Sequence, residues 1–247
     1  MNDKPNLQDL LRRAFIFITE DEYTKAENII NILLKNDLYF SQLNDNAWQY
    51  IADIYLTIGK YDEAQKAYIK AKNSTGAVFS LIMLSRLDEA EYYLINSNNS
   101  PAKSWCKFLI NLFSKSNNVK SWPTFLQIRQ FLEFTVYHLL LAEHNKYLNS
   151  LLLNLDGLME VNLDSKKMVG VAYFHFGRLD EAIDYFLSAA SKNQFDGEIY
   201  FNLGQIYLLK NNLIEALSMF TNASLLLPGH YPTKISIERV QSMLNNK

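Results

Sequence analysis

Only one cysteine, Cys106, occurs among the 247 residues, so neither an intramolecular disulfide nor a cysteine-built zinc cage is available. In Trp105-Cys106-Lys107-Phe108 it reads as a small buried hydrophobe, compatible with a reducing cytosol. Glycine (8) and proline (5) are scarce, which favours long helices, short connections and little disorder. Neither sign of charge is in excess: 24 basic residues face 26 acidic ones, and the pI is near 6.1. Without a net field to gather phosphate backbones or anionic lipid, nucleic acid is a poor partner. Apolar runs are short as well. Near the amino terminus, where Asp3 and Asp9 are among the early charges, Ala14-Phe15-Ile16-Phe17-Ile18 stops well short of the ~7–15 residues of a signal-peptide core. No stretch approaches the ~18 residues of a membrane span, so the expectation is an untargeted, soluble, cytoplasmic protein with no membrane insertion.

The constellations that carry chemistry are missing too. His138, His144, His175 and His230 show no HExxH or other close metal-ligand spacing, and neither a glycine-rich phosphate loop nor a G-x-S-x-G elbow occurs. The pairs Asp62-Glu63, Asp88-Glu89 and Asp180-Glu181 look like paired carboxylates. Each opens an apolar-periodic segment, where negative charge meets free backbone N–H groups and the positive end of a helix dipole, so helix-start stabilisation is the preferred reading. No catalytic, cofactor-binding or metal-binding residue is assigned, and the chain is read as a non-enzyme that needs no cofactor.

What the chain does have is repetition. Leu213-Ile214-Glu215-Ala216-Leu217-Ser218-Met219-Phe220-Thr221-Asn222-Ala223 echoes Leu179-Asp180-Glu181-Ala182-Ile183-Asp184-Tyr185-Phe186-Leu187-Ser188-Ala189 at a displacement of 34 residues, from Ala182 to Ala216. A second clear unit pairs Trp48, Ile51, Ala52 and Tyr55 on one helical face with Ala64, Tyr68 and Ala71 on the next, with Gly59 in the turn between. The last unit carries Tyr200, Leu203, Gly204, Tyr207, Ala216, Phe220, Ala223 and Pro228, with Asn211 at the turn position. The unit before it carries Val169, Gly170, Tyr173, Gly177, Ala182, Phe186 and Ala189, with Lys166 where a large apolar residue is expected. Near the amino terminus Leu10, Ala14, Phe17, Tyr23, Ala26 and Ile30 fit the same order, although Arg13 breaks it.

This order resembles the tetratricopeptide repeat, W-x2-L-G-x2-Y, then A-x3-F, then P. The resemblance implies an all-α, right-handed superhelical α-solenoid of about six to seven antiparallel helix pairs, filling 1–247 as one body. The expected units are 7–36, 45–73, a short one at 76–97, two degenerate ones at 102–130 and 131–157, then 163–192 and 197–228. Tyr147 and Ser150 are placed at second-helix positions of the fifth unit. Pro123 suits a helix start, with Ser121 as its cap. A capping helix at 233–245 follows, with Ile235, Ile237, Val240 and Leu244 on its apolar side.

In arrays of this kind the first helix of each pair lines a concave face. The resemblance therefore selects Lys167, Val171, Phe174 and His175, then Phe201, Gln205, Leu208 and Leu209, as the partner-binding groove. Two readings of their apolar members stay open: a groove for a partner helix or peptide anchored on Phe174, Phe201 and Leu208, or side chains covered by the capping helix or by neighbouring repeats. At the corresponding places of the 45–73 unit stand Asn46, Gln49, Asp53, Leu56 and Thr57, and Gln49 and Asp53 do not supply the lysine and asparagine clamp of co-chaperones. The aromatic run Trp105, Phe108, Phe113, Trp122, Phe125, Phe131, Phe134 and Tyr137 reads as core ahead of a homo-oligomer contact. The function implied is a non-enzymatic protein-protein interaction module, an adaptor, assembly factor or chaperone binding a protein or peptide partner. The alternatives are a peptide-sensing cytoplasmic regulator and a chaperone of a bacterial secretion system.

Overall fold

The computed structural model describes residues 6–114, 119 and 121–246. Asp3 and part of the connection within 102–130 lie outside them. Among the described residues there are fifteen helices and no strand, and no helix is long and apolar enough to cross a membrane. By packing the chain divides into two compact units, Met1–Pro123 and Thr124–Lys247, where the repeat resemblance implies one body. No described residue between 114 and 124 is helical.

The first unit holds α1 (Leu7–Thr19), α2 (Tyr23–Lys35), the single turn α3 (Asp37–Phe40), α4 (Asp45–Thr57), α5 (Tyr61–Lys70), α6 (Ser74–Met83), α7 (Leu87–Ile95) and α8 (Pro101–Phe113). The long connection after α2 is used by α3, which buries Tyr39. The sequence predicts a helix pair over 102–130, but α8 stands alone and closes this unit by packing on α6 and α7. Its Trp105, Phe108 and Phe113 are buried, with Phe108 6.0 Å from the half-exposed Trp122 ring. Cys106 lies among them, and burial pushes its thiol up to about 12, the condition of an inert side chain.

The second unit holds three helix pairs and a last helix: α9 (Phe125–Leu141) with α10 (Asn145–Val161), α11 (Leu163–His175) with α12 (Leu179–Lys192), α13 (Gly197–Leu209) with α14 (Leu213–Leu226), and α15 (Tyr231–Asn245). Thr124, not Ser121, caps α9. Its hydroxyl accepts from the Gln127 backbone N–H at 3.3 Å, while its own N–H donates to the Gln127 side chain at 2.9 Å, a closed capping box.

The two kinds of helix start differ. All first helices except α11 are capped by side chains: beside Thr124, Asn6, Asn44, Asn73, Ser100 and Asp196 each accept from a backbone N–H in the first turn. Second helices have no such cap, because they leave a tight turn directly. Those of α5, α7 and α12 carry their acidic pairs in the first turn instead. Several of these carboxylates also bridge pairs: Asp62 reaches Arg86 at 3.3 Å, and Asp180 meets Lys210.

Turn geometry exposes a stricter period than the side chains do. Glu143, Gly177 and Asn211 have φ of 56°, 84° and 59°, at positions evenly 34 apart. The N–H groups of His144, Arg178 and Asn212 return to the carbonyls of Leu139, Tyr173 and Tyr207, each at 2.9 Å, which closes the helix end in the Schellman manner. So α9–α10 is a repeat in full register with the next two. Leu148 and Leu155 take the places of Ala182 and Ala189 and are as fully buried, whereas Tyr147 and Ser150 flank that column. At the place of Gly170 and Gly204 stands Val136, also buried. Glycine there lets a second helix approach: a Cβ on Gly204 would lie 2.6 Å from Phe220 Cδ1, and on Gly170 3.1 Å from Phe186 Cδ1. With Val136 and Leu148 between them, α9 and α10 pack less closely than α11 with α12 or α13 with α14.

Candidate functional site

The common register of α9, α11 and α13 aligns their side chains in columns. Glu133, Lys167 and Phe201 form one, Tyr137, Val171 and Gln205 a second, and Leu140, Phe174 and Leu208 a third, followed by Leu141, His175 and Leu209. The eight residues selected from the sequence thus sit on one face of α11 and α13. The structure divides them into three groups with different roles.

Phe201 and Leu208 pack toward the closing helix. Both are partly buried against the cluster of Leu213, Ala216, Phe220 and Val240, together with Ile237 and Leu244 of α15. The Phe201 ring lies 5.8 Å from Phe220 and meets His230 edge-on at 4.9 Å. Of the two readings left open for these side chains, their packing supports cover by the closing helix, which buries apolar area that α13 would otherwise expose.

Lys167 is tied inside the unit as well. Its ammonium donates to Asp196 at 2.7 Å and to Glu198 at 2.9 Å, with its side chain only 17% exposed. Burial lowers the ammonium's pKa, the hydrogen bonds to Asp196 and Glu198 raise it, and the net shift is upward. This pair fixes α11 to the start of α13, where Asp196 also caps the helix.

Val171, Phe174, His175, Gln205 and Leu209 remain on the accessible side, Leu209 the most exposed of the apolar ones at 65%. Phe174 leans on His175 with ring centroids 5.8 Å apart. His175 lines a cleft of about 380 Å³ between α9 and α11, with Arg129, Glu133, Phe134, Tyr137 and Met168. Of these six side chains the sequence reading assigned only His175 to the groove; it took Phe134 and Tyr137 for core and did not single out Arg129, Glu133 and Met168. A displacement of 34 from Lys167 leads to Glu133, but the Leu148 substitution hides that repeat.

His138, buried beneath Phe134 and Tyr137 at 4.3 and 5.5 Å, has its pKa lowered by burial to about 3 and is neutral at physiological pH. Burial raises the Glu133 carboxyl above the ordinary range, an effect that His175 and Lys167 partly offset. Arg129 at the rim pairs with Asp164. The cleft thus combines aromatic surface, one half-buried carboxylate and an exposed imidazole, a mixture suited to a peptide side chain and its backbone.

In the first unit the equivalent face of α4 is closed on itself. The Gln49 amide donates to Asp53 at 2.9 Å, the Tyr68 hydroxyl to Asp53 at 2.7 Å and the Asn73 amide to Gln49 at 3.0 Å. Burial and this hydrogen bond raise the Tyr68 pKa.

Capped first helices, tight left-handed turns and second helices admitted by small residues define a helical-hairpin repeat scaffold. Tetratricopeptide-repeat family models match residues 45–74, which hold α4 and α5, and 168–222, which hold most of α11 to α14. The chain thus carries tetratricopeptide repeats in these two stretches, a repeat that serves protein-protein interaction. No curated protein matches the sequence. Similar solved structures include a chain of the APC/C hetero-tetramer Cut9–Hcn1, 16% identical over 95% of this chain with a TM-score of 0.39; this chain spans 42% of its length. Another is YrrB, described as a TPR protein with an unusual peptide-binding site, 15% identical over 94% of this chain and 92% of that one, TM-score 0.32. A tetratricopeptide repeat protein from Parabacteroides merdae is 14% identical over 95% of this chain and 98% of that one, TM-score 0.39.

Proposed function

We infer that the chain is a non-enzymatic adaptor, assembly factor or chaperone of the cytoplasm that holds a protein segment along the first-helix face of α9, α11 and α13. The observation that carries this reading is the α9–α11 cleft, where Glu133, Phe134, Tyr137 and His175 converge on one accessible hollow. Val171, Phe174, Gln205 and Leu209 continue the same face toward α13. Buried Cys106 suits a reducing compartment.

The groove lies toward α9, and Phe201 and Leu208 support it from behind. Affinity capture with wild type beside Tyr137→Asp/His175→Asp tests this: the folded double variant is expected to lose partners that wild type retains. Equal recovery by both would remove the groove from this face.

A further inference from the structure

A second surface lies on the other side of the same unit, between second helices. α10 and α12 pack little on one another, and a hollow of about 580 Å³ opens between them. Its wall is apolar: Leu152, Met159 and Tyr185 line it, and Leu153 stands over it 79% exposed. The Tyr173 ring stacks on Tyr185 at 5.5 Å and stiffens that wall.

The charge around the hollow has one sign left over. Lys166 reaches in, but its ammonium is committed to Glu160 and to the Ser188 hydroxyl, and Lys192 pairs with Glu160 at 2.8 Å. Asp156 from α10 and Asp184 from α12 line the hollow, both exposed, and among the described residues no basic side chain pairs with either. Most other second-helix carboxylates of the unit are paired: Asp180 with Lys210, Glu181 with Arg178. An exposed leucine over an apolar hollow between two unpaired carboxylates is complementary to an apolar side chain flanked by cations.

We propose that the α10–α12 hollow docks a basic amphipathic segment of a partner protein, its apolar side chains packing on Leu152, Leu153 and Met159 and its lysines or arginines meeting Asp156 and Asp184. The surface is independent of the α9–α11 cleft, so one chain holds two partners or two segments of one.

The test uses the full chain and a fluorescent synthetic peptide of roughly 15 residues, leucines at i, i+3, i+4 and i+7 among lysines, beside the same peptide with glutamates for lysines. The lysine peptide is expected to bind and to protect α10 and α12 from hydrogen exchange. Asp156→Lys/Asp184→Lys is expected to weaken it roughly tenfold, and Leu153→Ser by several-fold, with melting temperatures unchanged because all three side chains are exposed. Affinity should fall as salt rises from about 0.05 to 0.5 M. The control Asp88→Lys/Glu91→Lys changes net charge equally on α7 and should leave binding intact. The proposal is overturned if the lysine peptide does not bind, if the control weakens it as much, if protection falls elsewhere, or if the glutamate peptide binds equally well.

Discussion

The Phe220 ring lies against the bare Cα of Gly204, so close that a Cβ there would sit 2.6 Å from ring carbon Cδ1. This contact sets the separation of α13 and α14. The same pair one repeat earlier, Gly170 with Phe186, leaves 3.1 Å.

That half-ångström difference separates two outcomes of one substitution. Gly204→Ala forces a fully buried ring to shift and is expected to cost about 1–3 kcal/mol of unfolding free energy. Gly170→Ala needs only a small adjustment and gains helix propensity of about 1 kcal/mol, so it should stay within about 1 kcal/mol of wild type. Chemical denaturation of the two variants measures the contrast.

Phe201 and Leu208 should behave as core residues. Phe201→Ala is expected to lower stability by about 2–4 kcal/mol, less than full burial would give because the ring is only partly covered. Val240→Ala on α15, fully buried in the same cluster, should cost about 1–3 kcal/mol. Binding measured at a temperature where the variants remain folded should not change.

His138 makes stability depend on pH. Its pKa is near 3 in the folded chain against an ordinary 6.5, so between these values the unfolded chain binds a proton that the folded chain refuses. Stability therefore rises with pH across this window and is lost as pH falls from about 6.5, by up to about 1.4 kcal/mol per unit. Glu133, with its raised pKa, acts in the opposite sense above 4.5, where the folded chain binds the extra proton. The difference between the stability–pH curves of wild type and His138→Gln isolates the histidine. A flat difference between pH 4 and 6.5 would contradict its neutral burial.

The Lys167–Asp196 pair should register as coupling between α11 and α13. Asp196→Asn keeps the side-chain oxygen that caps α13 but removes the charge. With side chains 17% and 13% exposed, the pair stands between surface and buried cases, and a double-mutant cycle with Lys167→Ala should give about 1–3 kcal/mol. Near-zero coupling would make Lys167 available to a partner.

Much of the fold was legible because packing at a helix crossing demands particular sizes. Ala182, Phe186 and Ala189 repeat as Ala216, Phe220 and Ala223, and these residues seat α12 and α14. The middle was hard to read because a repeat can be kept by backbone geometry while its side chains change. Leu148 and Val136 replace alanine and glycine, and the helices answer by standing further apart. Glu143 keeps the left-handed turn with no glycine to announce it. For the site, the face was legible but its occupancy was not. Nothing local in Phe201 tells that α15 returns to cover it, since that contact links residues some forty positions apart.

The central claim is that the α9–α11 face contacts a protein partner. Its most direct measurement is photo-crosslinking in the native cell, with a photoreactive phenylalanine analogue placed singly at Tyr137, Val171 or His175, and at the exposed Ile214 of α14 as comparison. Discrete adducts from the first three positions and none from Ile214 are expected, disappearing when Glu133→Arg is added. Adducts from Ile214 alone, or from all four positions alike, would contradict it.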